Sequence, residues 1–367
     1  MTTQLKLLLT CDYEVFGDGS GDINECVIAP ANRLMDICEK YNARITFFVD
    51  VCEYWAFKDV EEKGGFEDKN YKPATIIENQ LKKIIQRRHD VQLHLHPQWI
   101  NYEYIGEKKF KVDLTRWRLP NLNGANVEDK PVTEELNKIL KKGKETLEYL
   151  LKSIDSSYEC KSFRAGALCI QPEYLVLKGL IKNGFKYDTS VAPKLFHLGN
   201  VTNFDFRNIE NLSEYPVSTS LDIKDLSGVL IERPILTVKF NLFDRVKFAL
   251  FRSSALKDKP CGCEGTVIAS VQAISQSRIN KIWSKLKSHY KMLDITGIIS
   301  AEEMMFMLSK ALKKAKILRL TGEVPIVAIS HCKNLGNEAE IDKFLRIADS
   351  SSFIKLESLN EKSAWRE

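Results

Sequence analysis

No stretch of this chain of 367 residues approaches the roughly 20 consecutive apolar residues that span a bilayer. Its first residues, Met-Thr-Thr-Gln-Leu-Lys-Leu-Leu-Leu-Thr-Cys-Asp, carry an apolar run too short for a signal-peptide core and no small-residue cleavage site. A cytoplasmic protein is therefore expected. Pro-, Gly- or Ser-rich linkers, internal repeats and low-complexity segments are also lacking. One domain over residues 1–367 is expected, with insertions at about 52–73, 98–132 and 238–262, although length alone suggests two. The formal charge of +5 is small. It gives slight encouragement to an anionic partner and none to sequence-specific nucleic-acid reading. Histidine is scarce, at six residues, so any clustering of it is informative.

The nine cysteines are odd in number and scattered through a chain far larger than disulfide-dependent secreted domains, which points to a reducing compartment. Cys261-Gly262-Cys263 lacks zinc-knuckle spacing and partner ligands, and an ordinary loop is expected there. Asp18-Gly19-Ser20-Gly21-Asp22 imitates the start of a calcium loop, but Ile23 stands where the required glycine should be. A Gly-rich loop is the better reading.

What is present is an alternation of short β-rich runs with helical patterns. Strands are predicted at 5–11, 43–49, 90–96, 161–167, 185–188, 229–232, 266–271 and 324–330, all rich in Val, Ile, Leu and Phe with little polar alternation. Helices are predicted at 30–41, 74–88, 133–153, 172–183, 275–290 and 300–314. The order implies an α/β fold with a parallel sheet or barrel. Residues 98–132 carry Trp99, Tyr102, Tyr104, Phe110 and Trp117, which are expected to form a lid on the barrel, with sugar stacking as the functional alternative. In residues 238–252, apolar side chains interleave with Lys239, Arg245, Lys247 and Arg252. A helix docked on the protein is expected; the alternative is peripheral contact with an anionic membrane.

Two pairs stand out against this background. Val91-Gln92-Leu93-His94-Leu95-His96-Pro97 ends one predicted strand, and Asp12-Tyr13-Glu14 ends the first. Successive side chains on a strand point to opposite faces, so His94 shares a face with His96, and Asp12 with Glu14. Two imidazoles and a carboxylate form the ligand set of many zinc sites that keep a position open. Later strand ends add Arg164, suited to holding a carboxylate, Asp188, which could orient a histidine, and His331, a proton donor near neutral pH.

The order of these segments, with Ala43-Arg44-Ile45-Thr46-Phe47-Phe48-Val49, Phe163-Arg164-Ala165-Gly166, Tyr187-Asp188-Thr189-Ser190 and Ser330-His331, resembles the polysaccharide deacetylases with NodB homology, carbohydrate esterase family 4. The Leu-His-Leu-His-Pro form is most similar to the WalW-like branch of surface-polysaccharide and O-antigen clusters. The resemblance runs from the first strand to His331. It implies a distorted (β/α)7 barrel and metal-dependent hydrolysis of an N-acetyl or N-formyl group from an amino sugar; the expected cytoplasmic compartment points to a nucleotide- or lipid-linked substrate. The resemblance also implies Asp12 as base, Glu14, His94 and His96 as ligands of zinc (or cobalt, nickel or manganese), Arg164 as the base-orienting arginine and His331 as the acid. The chain departs from the family at Tyr13, where a second aspartate is usual, and at Gln98, where the second histidine is usual. Asp12 is then an alternative metal ligand. Competing readings are another metal amidohydrolase or phosphoesterase barrel, and a barrel that binds glycan without catalysis.

Overall fold

Burial on both faces is what the unbroken apolar runs require, and a parallel sheet wrapped by helices supplies it. In the computed structural model, which describes residues 3–123, 131–210, 214–255 and 289–359, seven parallel strands form this sheet. They are β1 (Thr3–Tyr13), β2 (Ile45–Asp50), β3 (Asp90–Leu95), β4 (Ser162–Ala165), β5 (Tyr187–Asp188), β6 (Leu230–Glu232) and β7 (Gly322–Ala328). Their order is β6-β5-β4-β3-β2-β1-β7. Tyr215–Val217 extends the β6 side antiparallel, and Ile354–Glu357 runs parallel to the early half of β1.

The sheet curls until its two edges meet. Ile235, just past β6, forms a single parallel bridge with Val327 of β7, and Asp294 forms another with Ile329. Closure by isolated bridges makes this the distorted seven-stranded barrel expected from the sequence. Strand ends therefore converge on one mouth, where α/β barrels build their sites.

Helices α1 (Ala29–Glu39), α2 (Val51–Glu62), α3 (Pro73–Gln86), α4 (Glu134–Leu151), α5 (Tyr174–Lys182), α6 (Leu242–Ala255), α7 (Ala301–Ile317) and α8 (Glu338–Asp349) complete the described helical set. Pro30 and Pro73 occupy first turns, where a missing N–H costs nothing. Residues 52–73, read as an irregular insertion, carry α2. That helix buries Val51, Tyr54, Ala56, Phe57 and Val60 between the sheet and the aromatic lid, so no clean one-sided period marks it in the sequence.

The lid is a small aromatic core. Phe110, on a hairpin formed by Glu103–Gly106 and Lys109–Lys111, packs 5.2 Å from Phe57 and 5.3 Å from Trp99 between ring centroids. Helix α6 is docked through Phe248, which meets Phe306 of α7 at 5.0 Å, while Leu242, Phe243 and Val246 face outward. Among the described residues no helix is long and apolar enough to cross a membrane. Cys11, Cys38, Cys52, Cys160, Cys169 and Cys332 are free and buried, whereas Cys26 is disulfide-bonded, which the expectation of reduced thiols did not include. The strand expected at 266–271, Cys261, Cys263 and most of the helix expected at 275–290 lie outside the described residues. Tyr290, placed at that helix's end, belongs instead to a strand, His289–Met292, paired with Thr237–Phe240.

Candidate metal centre

Strand register assembles the centre. Asp50 at the end of β2 lies opposite His94 of β3, and His94 lies opposite Arg164 of β4, while Asp12 near the end of β1 bridges to His331 beyond β7. The alternation read from the sequence then brings Glu14, His94 and His96 into one buried group, with donor atoms all within 4.8 Å of one another. The Oε2 atom of Glu14 lies 2.6 Å from Nε2 of His96 and 3.4 Å from Nε2 of His94.

The surroundings of these atoms fit a divalent cation. His94 Nδ1 lies 2.8 Å from the carbonyl oxygen of Arg164. A carbonyl only accepts, so Nδ1 carries the ring proton and Nε2 presents its lone pair to the group. The Nε2 atoms of both histidines are buried without a hydrogen-bond partner. Glu14 Oε2 lies close to both Nε2 atoms, so the three donor groups converge on one point. Burial alone would raise the pKa of Glu14, but His96, Lys333 and the contact with His94 hold it well below the usual carboxylate range. Two imidazoles and one ionised carboxylate are a donor set suited to zinc. Gln98 stands outside this set. Its Nε2 lies 3.0 Å from Nδ1 of His96 and 3.3 Å from the carbonyl of Gly17. An amide N–H only donates, so this contact puts the His96 ring proton on Nε2; the unpartnered Oε1 turned toward Nδ1 would move that proton and free Nε2 for a cation.

Asp12, offered by the sequence as an alternative ligand, is not in the donor group. Arg164 claims it. Buried completely, the guanidinium donates from Nη1 to Asp12 Oδ1 at 2.6 Å, from Nη2 to Thr10 Oγ1 at 2.9 Å and from Nε to the Thr189 carbonyl at 3.1 Å. Its plane lies over the Phe48 ring, 4.4 Å from the centroid. Burial pushes the pKa of Asp12 up, yet Arg164, His94 and His331 together bring it below the ordinary value. Its other oxygen, Oδ2, faces His331 Nε2 at 3.6 Å.

His331 is more open than the rest of the centre, and the carboxylate beside its Nδ1 is Asp294, at 3.8 Å. This corrects the expectation for Asp188. Asp188 Oδ1 accepts the hydroxyl of Ser190 at 2.6 Å, and its neighbour across β5–β6 is Glu232, another fully buried carboxyl. Burial raises both pKa values, that of Glu232 well above the usual range, as two carboxyls sharing a dry site require. Asp188 therefore braces the barrel wall beside Ser190, whose hydroxyl also accepts the N–H of Ala165.

Three groups at the centre were not found from the sequence. Lys333 Nζ donates to Glu14 Oε1 at 2.6 Å, and Asp294 faces His331. Asp50 accepts the backbone N–H groups of His96 and Cys52, each at 3.1 Å, tying His96 to the start of α2. Asp50 and Lys333 carry a local signal, the end of an apolar strand and an i, i+2 spacing from His331 respectively. Asp294 has none.

No family model and no curated protein matches this chain. Among solved structures it is similar to a protein of Mycobacterium smegmatis assigned as a polysaccharide deacetylase, at 14% identity, covering 98% of this chain and 88% of that one with a TM-score of 0.48. A Pseudomonas aeruginosa PAO1 protein assigned the same way is similar at 11% identity, 97% and 88% coverage and a TM-score of 0.42. A GH57-type branching enzyme from Pyrococcus horikoshii is similar at 12% identity, 98% and 70% coverage and a TM-score of 0.47. At these values the functional reading rests on the geometry of the centre itself.

Proposed function

We propose that this chain is a metal-dependent hydrolase that removes an N-acetyl or N-formyl group from an amino sugar. The observation that carries the reading is the division of labour at the mouth. Three donors converge on one point, while a separate carboxylate, Asp12, is held by Arg164 with one oxygen left facing a histidine.

Glu14, His94 and His96 would hold a divalent ion, zinc by donor type, which supplies Lewis-acid polarisation of an amide carbonyl and a more acidic water. The remaining steps belong to the chain's own residues. Asp12, ionised and fixed through Oδ1, takes the proton of the attacking water on Oδ2 as the new C–O bond forms. His331 gives a proton to the amide nitrogen as the C–N bond breaks, releasing a carboxylic acid and an amino sugar. The more open position of His331 suits a group that meets the departing sugar.

A nucleotide- or lipid-linked precursor of a surface polysaccharide, deacylated in the cytoplasm, is the substrate class we favour. A lipid-linked substrate would give a role to Leu242, Phe243 and Val246 on α6, which would then rest on the inner membrane. Metal analysis of protein purified without chelators, followed by assay of acetate and formate release from N-acyl sugars, tests the proposal. One bound ion and acyl release that chelation abolishes are expected. A metal-free chain that stays inert with added zinc or cobalt overturns it, and activity on cyclic amides with none on N-acyl sugars reassigns it to another amidohydrolase class.

A further inference from the structure

The acidic pair Asp12-x-Glu14 faces a basic pair, His331-x-Lys333, across the seam between β1 and β7. The two strands run parallel in unbroken register from Thr3–Gly322 to Leu9–Ala328, and the Asp12–His331 bridge continues it. The same register carries Glu14 to Lys333. There the Lys333 ammonium donates to Glu14 Oε1 at 2.6 Å and to the Val15 carbonyl at 2.9 Å, with the side chain only 13% exposed and its charge 5.6 Å from the Phe16 ring centroid. Lys333 thus holds Oε1, and Oε2 is the oxygen that meets the two histidines.

We propose that Lys333 is a positioning residue of the metal centre, which fixes Glu14 so that it offers a divalent cation one oxygen, Oε2. The inference rests on the metal reading above. A buried carboxylate with both oxygens unclaimed can rotate about its terminal torsion; anchoring one oxygen to an ammonium removes that freedom before a cation arrives. Partners of this kind behind a ligating carboxylate are worth about 10- to 100-fold in metal affinity. The opposing effect has the opposite sign, since an ammonium beside a dication repels it, and removing Lys333 for charge alone would tighten binding. The direction of the change therefore decides between orientation and repulsion.

Zinc affinity by calorimetry and the visible spectrum of bound cobalt(II) are the measurements, on the full chain and on Lys333→Met, Lys333→Gln and Lys333→Arg. Methionine keeps the apolar stem, and glutamine provides a second uncharged variant if methionine fails to fold. The expected result is a loss of about 10- to 100-fold in zinc affinity in the uncharged variants, with a changed cobalt spectrum as Glu14 turns to offer both oxygens, and near-parent behaviour in the arginine variant. Unchanged or tighter zinc binding in the uncharged variants overturns the role of Lys333 while leaving the metal centre standing. An arginine variant as weak as the uncharged ones overturns it too. A parent chain that binds neither zinc nor cobalt overturns the metal reading itself, and this inference with it.

Discussion

The backbone carbonyl of Arg164 accepts the Nδ1 proton of His94 at 2.8 Å, while the guanidinium of the same residue holds Asp12 at 2.6 Å. One residue of β4 thus sets the tautomer of His94 through its main chain and the position of Asp12 through its side chain. Arg164→Met separates the two. It leaves the His94 contact in place but strands a carboxylate in a dry site, which should cost about 3–5 kcal/mol of stability. Denaturant unfolding should register that loss, and metal content should persist while turnover falls. Arg164→Lys keeps the charge without the planar fork and should fall between parent and methionine variant.

Asp12→Asn and His331→Gln should each reduce turnover by about two to four orders of magnitude with the ion retained, as expected of a general base and acid that are not ligands. Elemental analysis alongside steady-state kinetics is the check. Loss of the ion from Asp12→Asn would reassign that residue as a ligand.

Asp294, not Asp188, stands beside Nδ1 of His331. Asp294→Asn should therefore lower turnover by about 10-fold or more, by loosening the orientation of the proposed acid. Asp188→Asn places an amide beside Glu232 and should leave turnover near the parent value. Equal kinetic defects in the two variants would return Asp188 to the catalytic group.

Gly166, the last residue of Phe-Arg-Ala-Gly, lies so close to the second histidine that a Cβ there would sit 2.6 Å from the Leu95 carbonyl and 2.8 Å from His96 Nδ1. Neither neighbour can yield without moving His96 or the strand that carries it. Gly166→Ala should cost about 1–3 kcal/mol in overpacking and weaken metal binding as His96 shifts. Thermal unfolding and zinc titration together test this; a variant with parent zinc affinity would show that His96 is not held in place by this contact.

Much of the fold was legible because a strand covered on both faces reads as an unbroken apolar run, as in β2, where every residue is buried. Glu14, His94 and His96 were legible because strand alternation is local: it says which side chains share a face before any partner is known. Lys333 and Asp294 escaped for the complementary reason. The contact of Lys333 with Glu14 depends on the pairing of β1 with β7 across most of the chain, and that of Asp294 with His331 on a single bridge where the barrel closes. Nothing in the period of their own segments encodes either. Asp188 was misplaced by the same blindness, since its strand end is correct and only the neighbour, Glu232, was unknown.

The start of β3 makes an acid-stability prediction independent of the centre. His89 is buried with Nδ1 accepting the N–H of Ile45 at 3.2 Å, and burial, outweighing the pull of Glu39, lowers its pKa from 6.5 to about 4. Between those values the unfolded chain binds the proton more readily than the folded one, so His89 erodes stability as pH falls from 6.5 towards 4. Asp90 works in the opposite sense: burial raises its pKa from 3.8 to about 6, so the folded chain holds that proton more tightly and gains stability on acidification. The two neighbours mask each other in the parent protein. His89→Gln removes one of them, and its stability relative to the parent should rise by roughly 2 kcal/mol between pH 7 and pH 4.5. Urea unfolding at both pH values measures the difference; a constant gap would mean that His89 is not held neutral in the folded chain.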